Sequence, residues 1–514
     1  MRWSWLAVAL FASACGAAPG SGDDGGDDGG GGGGSACDPS QERCDGCTTA
    51  DTDGDGWADE IEIAAESSTS DANETPVSNG DIVFVAPYQA NPSPASHDLE
   101  STARLRRADL AILLDTTGSM IGTTSRIQGE LAEMVSLLAG EVDDLAFGAA
   151  GYGDFPRIDG SNSEYDVPFY LTHRVMTART PAGLASITSA FTYKNIIIDG
   201  LGSWFAVMRG GDEPEQHWEA LRQAATGTGI IYRGAVSGTQ SVPPFSTTTA
   251  LPTTIPAGEE VGSIGGFGFR KDSLPIILQI TDTNSHVGGL TTTTPVSATR
   301  PVALAALTAI HARVVGIMAW LTYGQDDLTA MTVDTGGQVP PTAWGVPPAR
   351  PANCPVGKCC TVAEDEDVRP QPDPINGLCP LVFQADRYTQ NLAKMVAQAV
   401  VGIARGARFE IAAELRDDPS DDVDVTELVD TIDAIASGAC AGATVSGNTF
   451  TDVVGGQQVC FRITPRVNTT VQAGTEARRF RGVVQLVGDG IGAFTQREVW
   501  FVVPTAACTP PIFL

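Results

Sequence analysis

The sequence predicts an α/β domain built on a doubly wound, mostly parallel sheet, followed by an all-β sandwich. Over residues 105–407, short continuous apolar runs alternate with segments whose apolar residues recur at helical spacing. That alternation is typical of parallel strands joined by helices. From residue 408 onward the apolar period drops to two and turn residues separate the runs, as in antiparallel strands. The 514 residues suffice for two to four folded units.

Each element of the α/β domain follows from its apolar spacing. Continuous apolar runs, typical of strands buried on both faces, lie at 110–114, 145–151, 274–280 and 314–318. Helical spacing predicts helices at 182–191, 216–225, 302–311, 328–335 and 392–403. A further helix is predicted after the first strand, from Ile127, Leu131, Met134, Val135 and Leu138.

Two insertions and the C-terminal region depart from this pattern. Residues 233–265 are rich in Thr, Pro, Gly and Ser and are predicted to be loop. Residues 338–380 are Pro-rich, hold four cysteines and are predicted to form a disulfide-pinned excursion. Over 408–514, four segments of alternating apolar residues predict a β-sandwich closed by two of the last three cysteines.

The charge balance limits the class of partner. The chain has 31 basic and 62 acidic residues, and its net charge is -31. Such a surface repels phosphate backbones, so nucleic acid is excluded as a partner. Clustered carboxylates hold hard cations, although an acidic surface also keeps an exported protein soluble.

The first residues predict an export signal, residues 1–15. Arg2 precedes an apolar run at 5–14 that is too short to span a bilayer as a helix. Small residues before Cys15 resemble a bacterial lipobox, which implies lipidation of Cys15, with ordinary cleavage nearby as the alternative. Gly16 in place of Asp implies the outer membrane, on its surface or periplasmic side. Membrane contact is then expected through the lipid alone.

Residues 16–48 are predicted to be a Gly/Asp-rich, self-repelling tether that ends in a cysteine cluster. Its composition is similar to that of spacers in myxobacterial-type lipoproteins. Without Cys15, ten of the 11 cysteines remain, an even number that predicts disulfides in an oxidising compartment. The first and last clusters, 37–47 and 440–508, hold three cysteines each. Full pairing therefore requires a bridge between clusters, and we expect one from the N-terminal cluster to a later domain. A zinc site is the weaker interpretation.

Residues 51–62, within a segment at 49–75, fit an acidic calcium-binding loop position by position. The ligand positions are filled by Asp51, Asp53, Asp55, the carbonyl of Trp57, Asp59 and Glu62. Gly56 allows the sharp turn. The loop resembles both an EF-hand loop and a thrombospondin type 3 repeat, which implies bound Ca²⁺; a solvated acidic turn is the alternative. No good helix precedes the loop, so we expect it to stand alone and to stiffen the stalk.

A carboxylate and two hydroxyls follow the first predicted strand of the α/β domain. The segment reads Asp115-Thr-Thr117-Gly-Ser119-Met. Ligands of doubly wound sheets bind beyond the carboxyl ends of strands. One carboxylate with two hydroxyls suits a hard cation such as Mg²⁺ and leaves it electron-poor, so that a partner's carboxylate can fill its open position. A turn with a helix cap is the alternative.

Asp115, Thr117 and Ser119 resemble the metal-ion-dependent adhesion site of the von Willebrand factor type A domain. The resemblance spans about 300 residues, 107–407, and implies Mg²⁺, or Mn²⁺ or Ca²⁺, at this site. The helix start that contains Asp212 and Glu215 resembles the Asp-x-Pro-Glu segment of integrin β-subunit I-like domains. That resemblance implies that Glu215 faces the metal, while Asp212 supports Glu215 or binds a neighbouring ion.

Two further acidic residues complete the candidate set. Asp282 and His286 end a predicted strand and resemble the integrin β Asp-x-x-x-His segment, which implies that Asp282 completes the metal shell, directly or through water. Asp154 ends another strand and is the candidate for an adjacent ion. The acidic pair that follows the motif in integrin β chains is absent after Met120, which implies that the adjacent regulatory site is absent too.

These features predict metal-ion-dependent binding of a protein or peptide ligand that supplies a carboxylate, at the cell envelope and of the adhesion type. The alternative is a scaffold or assembly subunit of the envelope that uses the same domain for protein–protein contact. An enzyme is not expected. The sequence has no Gly-x-Ser-x-Gly, His-Glu-x-x-His or Gly-x-x-x-x-Gly-Lys motif.

Overall fold

The computed structural model describes residues 50–78, 80–120, 133–134, 137–138, 142–156, 166–192, 214–233, 239–286, 297–319, 325–345, 350–362, 370–384 and 392–505. The predictions for the export signal, Cys15, the tether and the first cysteine cluster lie outside these residues, as do those for Asp212 and Cys508. Of the helix predicted after Ser119, Met134 and Leu138 are described, and both are helical and buried.

The described helices are α1 (Asp59–Ala65), α2 (Pro181–Thr192), α3 (His217–Thr226), α4 (Arg300–Ala309), α5 (Gln325–Asp334) and α6 (Leu392–Gly406). The described strands are β1 (Ile82–Val85), β2 (His97–Thr102), β3 (Arg107–Asp115), β4 (Asp144–Tyr152), β5 (Tyr170–Thr177), β6 (Ile230–Arg233), β7 (Thr239–Val242), β8 (Leu274–Thr281), β9 (Arg313–Met318), β10 (Gln338–Val339), β11 (Cys379–Pro380), β12 (Val382–Gln384), β13 (Arg408–Asp417), β14 (Val429–Ala434), β15 (Val445–Ser446), β16 (Thr449–Val454), β17 (Gln458–Pro465), β18 (Arg478–Gly488) and β19 (Gln496–Val503). Within the described ranges, no helix is both long and apolar enough to cross a bilayer.

The α/β domain is built on a six-stranded sheet of order β12-β9-β8-β3-β4-β5. Strands β12, β9, β8, β3 and β4 are parallel, and the edge strand β5 is antiparallel to β4. The sheet starts in its middle at β3 and winds outward on both sides, which defines a doubly wound fold. The predicted fold class is confirmed, including the antiparallel sheets later in the chain.

Strand β3 explains why this sheet is covered on both faces. Leu110, Ile112 and Leu114 belong to an apolar core that includes α6, whereas Ala111 and Leu113 belong to a second core that includes α3 and α4. Alternate side chains of a strand point to opposite faces. A strand that is apolar at every position therefore needs helices on both sides, which is what its continuous apolar run predicted.

Six strands of this domain, β5, β6, β7, β10, β11 and β12, were not predicted. Strand β5 contains the buried polar residues His173 and Arg174, and the guanidinium of Arg174 donates to the carbonyl oxygens of Thr247, at 3.0 Å, and Gly262. Strand β7 lies inside the predicted loop 233–265, where it pairs with β6 as a hairpin. Strand β5 depends on contacts between distant parts of the chain, which local apolar spacing does not record. Strand β7 was missed because its sequence, TQSV, is largely polar.

The β-sandwich consists of one six-stranded sheet, β1-β19-β18-β13-β16-β15, and one three-stranded sheet, β14-β17-β2. The four alternating segments of the sequence form β13, β17, β18 and β19. The sandwich also extends beyond the expected range 408–514, because β1 pairs with β19 and β2 pairs with β17. The α/β domain is thus inserted between β2 and β13 of a sandwich that is built from both sides of it in sequence.

Three disulfides join cysteines of the described residues. Cys354–Cys360 and Cys359–Cys379 pin the excursion in the α/β domain, and Cys440–Cys460 staples the sandwich, as expected for two of the last three cysteines. Disulfides persist in oxidising compartments, so they indicate an extracytoplasmic protein. The bridge expected from the N-terminal cluster lies outside the described residues.

Candidate metal sites

Asp115 lies at the carboxyl end of β3, between β8 and β4. It is fully buried and pairs with Tyr152, the last residue of β4. The chain then leaves the sheet. The amide of Thr116 donates to the carbonyl oxygen of Tyr152 at 2.9 Å, and Gly118–Met120 form a single 3-10 turn. This edge of a doubly wound sheet is where ligands bind.

The side chains of Asp115, Thr117 and Ser119 form one hydrogen-bonded cluster. The backbone amide and the hydroxyl of Thr117 donate to Oδ1 of Asp115 at 2.9 and 2.7 Å. The hydroxyl oxygens of Thr117 and Ser119 lie 3.3 Å apart. Asp115 and Thr117 are buried and Ser119 is exposed, so the cluster opens to solvent on the side of Ser119.

The other carboxylate oxygen of Asp115 is held from the neighbouring strand. The hydroxyl of Thr281, the last residue of β8, donates to Oδ2 of Asp115 at 2.8 Å. Nε2 of His217 lies 3.0 Å from the same hydroxyl oxygen. Burial and the nearby His286 lower the pKa of His217 to about 3, so its ring is neutral near pH 7. Because the hydroxyl has one hydrogen and gives it to Asp115, Nε2 of His217 carries the proton and donates.

A second carboxylate, that of Asp282, lies near Asp115. Asp282 is 8 % exposed and directly follows Thr281. Burial, together with the charge of Asp282, raises the pKa of Asp115 to about 7. Two carboxylates in a buried place repel each other. A divalent cation bound between carboxylates offsets that repulsion, so this pair fits a cation.

The other described candidates lie at the same edge of the sheet. Glu215 is buried and forms a β-bridge with Ser285, and its carbonyl oxygen accepts from the amide of His286 at 2.9 Å. Nε2 of His286 lies 3.2 Å from Oδ2 of Asp154, which is also buried. The structure therefore brings the segments of Asp115, Asp154, Glu215 and Asp282 together, while Asp212 lies outside the described residues.

Sequence analysis missed the residues that orient this edge. Thr281 holds Asp115, and His217 contacts the hydroxyl of Thr281. Oδ2 of Asp327 accepts from the amide of Ser285 at 2.7 Å and so fixes the segment that follows Asp282. Thr281 was recognisable only by its place between a strand and an acidic residue. His217 and Asp327 stand at helix starts, where polar residues are common without any role in a site.

The acidic loop at residues 51–62 is folded around its own carboxylates. The two oxygens of Asp51 accept from the amides of Gly54 and Gly56 at 2.7 and 3.0 Å, and Oδ1 of Asp55 accepts from the amide of Trp57 at 2.7 Å. Both glycines have positive φ angles, 75° and 97°, a backbone region that favours glycine.

The exposed Asp51 and the partly buried Asp53 and Asp55 form a triad that can hold an ion. Across the described ranges, they are the one group of three His, Cys, Asp or Glu residues whose ligand atoms all lie within 4.8 Å of one another. Glu62 is 0 % exposed, and neither of its carboxylate oxygens has a hydrogen-bond partner among the described residues. Burial, reinforced by the charges of the loop aspartates, raises the pKa of Glu62 to about 7. These residues fit a cation.

The strand order and directions of the α/β domain define a fold of the Rossmann and von Willebrand factor A type, with candidate ligands at its carboxyl edge. No family model matches the sequence, and no curated protein matches it. The fold assignment therefore rests on the topology.

Solved structures give distant similarities. The pilus adhesin SpaC from Lactobacillus rhamnosus GG matches 82 % of this chain and 48 % of its own, at 10 % identity and a TM-score of 0.28. Its open conformation matches 80 % and 46 %, at 10 % identity and a TM-score of 0.26. Proximal thread matrix protein 1 from the mussel byssus matches 45 % and 42 %, at 12 % identity and a TM-score of 0.26. The matches span less than half of each of those chains.

Proposed function

We propose that the protein binds a protein or peptide ligand at the cell envelope, in adhesion, through a divalent cation at the carboxyl edge of its α/β sheet. One observation carries the proposal. The hydroxyls of Thr117 and Ser119 and the carboxylate of Asp115 form one cluster, and the carboxylate of Asp282 is near enough to raise the pKa of Asp115. Such oxygen ligands suit Mg²⁺, Mn²⁺ or Ca²⁺.

Each residue has a distinct part in this proposal. Asp115, Thr117 and Ser119 would hold the cation, and Glu215 and Asp282 would complete its shell, directly or through water. Because two of the ligands are neutral hydroxyls, the bound cation keeps positive charge and attracts an oxygen of the partner. Asp154 is the proposed ligand of a neighbouring ion, and Asp212 either supports Glu215 or binds that ion.

The exposure of Ser119 favours an approach of the partner from its side of the cluster. The partner is proposed to supply a carboxylate, which completes the coordination of the ion. We propose binding rather than turnover, because the hydroxyls are hydrogen-bonded within the cluster and are thereby oriented to hold an ion.

The proposal is tested by capture of partners from an envelope extract with the whole mature chain, in Mg²⁺ and in EDTA. Wild type is compared with Asp115→Ala and with Asp373→Ala, a control at a carboxylate that is 79 % exposed. We expect cation-dependent capture by wild type and the control and its loss in Asp115→Ala. Capture of the same envelope protein in all conditions would contradict the metal role and favour the scaffold alternative.

We propose that the loop at 51–62 binds Ca²⁺. Its support is the aspartate triad together with the buried oxygens of Glu62, which have no hydrogen-bond partner among the described residues. Glu62 occupies the position where such loops bind the ion through two oxygens. Isothermal titration with Ca²⁺ in the presence of Mg²⁺ tests this, and Glu62→Gln is expected to weaken the binding.

We also propose export as an outer-membrane lipoprotein that is anchored at Cys15. The support is the small-residue segment before Cys15 and the extracytoplasmic environment that the disulfides indicate. Mass spectrometry of the mature N-terminus tests the anchor. A lipid-modified Cys15 is expected, and an unmodified N-terminus at a nearby residue would contradict it.

A further inference from the structure

The acidic loop is built onto the outer face of the β-sandwich. Helix α1 begins inside the loop, at Asp59, and its residue Ile61 is 2 % exposed. Ile61 lies in one apolar cluster with Val83 and Val85 of β1 and with Val502 of β19. Because side chains of a strand alternate, the other residues of β1 face the interior of the sandwich. Helix α1 therefore covers the face of the sheet opposite to that interior.

Polar contacts also fasten α1 to the last two strands of the sandwich. The hydroxyl of Thr505, just beyond β19, donates to Oε2 of Glu60 at 3.0 Å. Arg479 of β18 forms an ion pair with Glu66, and its guanidinium carbon lies 4.6 Å from the ring centroid of Trp500. The helix thus contacts β1, which follows it closely in sequence, and β18 and β19, which are distant from it in sequence.

Two successive residues of α1 connect the loop to the sandwich. Ile61 packs on the strands. The side chain of Glu62 is buried close to the loop, and after burial itself the charges of Asp55 and Asp53 raise its pKa. Atoms Oδ2 of Asp53 and of Asp55 are likewise buried without a hydrogen-bond partner among the described residues. Movement of Glu62 out of the loop therefore also displaces Ile61 from the strands.

The helix is too short to be stable alone. It has seven residues, and isolated helices of this length are not stable in water. Its first turn contains the acidic residues Asp59, Glu60 and Glu62, which lie beside three more carboxylates in the loop. Without a cation these charges repel one another, whereas a bound cation offsets the repulsion and favours the docked helix.

From these contacts we infer that a cation in the loop at 51–62 fastens α1 and the edge strand β1 to β19, so that Ca²⁺ controls the stability of the β-sandwich. The inference rests on the proposed binding of Ca²⁺ by the loop. It differs from a stalk-stiffening role because the affected part of the protein is the sandwich itself. Loss of the ion exposes the apolar outer face of β1 and loosens the edge of the sheet.

Hydrogen exchange of the whole mature chain, with Mg²⁺ present throughout and with or without Ca²⁺, tests this inference. At a free Ca²⁺ concentration of about 100 times the Kd, linkage predicts about 100-fold slower exchange for amides that open with the loop. We expect this protection in β1 and β19. Isothermal titration of the same samples measures Ca²⁺ binding independently.

Three variants separate the coupling from the binding. Glu62→Gln is expected to lose both Ca²⁺ binding and the protection of β1 and β19. Ile61→Ala is expected to bind Ca²⁺, because the ligands of the loop are intact. It is expected to lose most of the protection of β1 and β19, because α1 no longer packs on these strands. Glu74→Gln, an exposed acidic control outside the loop, is expected to behave as wild type.

Two outcomes would overturn the inference. Absence of Ca²⁺ binding in wild type would remove the proposed calcium site and the inference together. Binding that leaves the exchange of β1 and β19 unchanged would overturn the inference alone.

Discussion

The hydroxyl of Thr281 fixes the orientation of Asp115 from a neighbouring strand. It donates to Oδ2 of Asp115 and is itself approached by Nε2 of His217. Groups that orient a metal ligand affect affinity although they do not touch the ion. The Thr281 hydroxyl therefore makes the orientation of Asp115, a proposed ligand of the cation, depend on the position of β8.

Replacement of Thr281 by Val should weaken cation binding. The variant keeps the shape of the side chain, removes the hydrogen bond to Asp115 and leaves the N–H of His217 without its acceptor. We expect Mg²⁺ affinity to fall by about 10-fold or more, the usual effect of losing an orienting partner. Isothermal titration measures it. Thr281→Ser keeps the hydroxyl and should bind as wild type; equal affinity in Val and Ser variants would contradict the role.

The raised pKa of Asp115 predicts a pH dependence with a definite sign. Its pKa is raised from the ordinary aspartate value to about 7, so between about pH 4 and 7 the folded protein without metal holds a proton that the unfolded chain releases. The stability from this proton is fully present below about pH 4 and is lost as the pH rises through about 7. Without metal, we expect the Tm advantage of Asp115→Asn over wild type to grow from pH 5 to pH 8. Mg²⁺ should reduce this difference, and a difference independent of pH would contradict the assignment.

The sequence predicted the acidic candidates of the site but missed the residues that orient Asp115 from neighbouring elements. Asp115, Thr117 and Ser119 lie within five residues, so their spacing alone suggested a common turn. The contact of Thr281 with Asp115 depends on the pairing of β8 beside β3, and that of His217 depends on the packing of α3. The local spacing of residues reveals neither the register of strands nor the packing of helices.

At the scale of elements, the two ends of β3 carry buried carboxylates with different partners. Its carboxyl end presents Asp115, whereas Asp109, near its start, is fully buried with Arg270. Nε and the backbone amide of Arg270 donate to the carboxylate of Asp109 at 2.7 and 2.6 Å, and Ser273 donates to it at 2.8 Å. Because Arg270 and Ser273 precede β8, this cluster fixes β8 beside β3.

Removal of the buried guanidinium of Arg270, near the start of β3, should destabilise the protein strongly. In Arg270→Met, Asp109 remains buried without its positive partner, and breaking such a pair costs about 3–5 kcal/mol in free energy of unfolding. Urea unfolding measures the change. The matched control is Arg466→Met, whose ion pair with Asp430 is exposed and is expected to contribute about 0–1 kcal/mol. Similar losses in both variants would contradict the explanation.

Element types were predictable where burial is continuous or strictly alternating. The strands β3, β4, β8 and β9 and the alternating strands of the sandwich follow their apolar patterns. Strand β5 did not, because it contains the buried polar residues His173 and Arg174, and the Arg174 guanidinium is satisfied by carbonyls of the insertion. The strands β1 and β2 were missed as well. Strand β1 has only four residues, strand β2 has the polar sequence HDLEST, and both pair with strands far away in sequence.

At the scale of the whole molecule, the insertion of the α/β domain ties its stability to the sandwich. Leu105, before β3, shares one apolar core with Phe409 of β13 and with Phe494 before β19. Arg416 of β13 also forms an ion pair with Asp272 of the α/β domain at 2.7 Å. The two units therefore share buried surface as well as two chain connections.

Fragments should report this arrangement. A fragment of residues 105–505 lacks β1 and β2 and leaves the edges of β19 and β17 unpaired, so we expect it to self-associate and to unfold at a lower temperature. A fragment of residues 50–505 retains both strands and is the matched control. Size-exclusion chromatography and thermal unfolding distinguish them. Two monomeric fragments with equal Tm values would show that β1 and β2 are dispensable.

The nested order of the chain sets a sequence of events for its biosynthesis. Strands β1 and β2 emerge before the α/β domain, yet their partners β19 and β17 emerge after it. Folding of the intervening domain brings its two ends to the same hairpin, where Ala103 contacts Gln457 and Arg408 pairs with Val454. Strands β1 and β2 therefore remain unpaired until nearly the whole polypeptide has been made or translocated. The folded α/β domain then brings these strands close to their late partners.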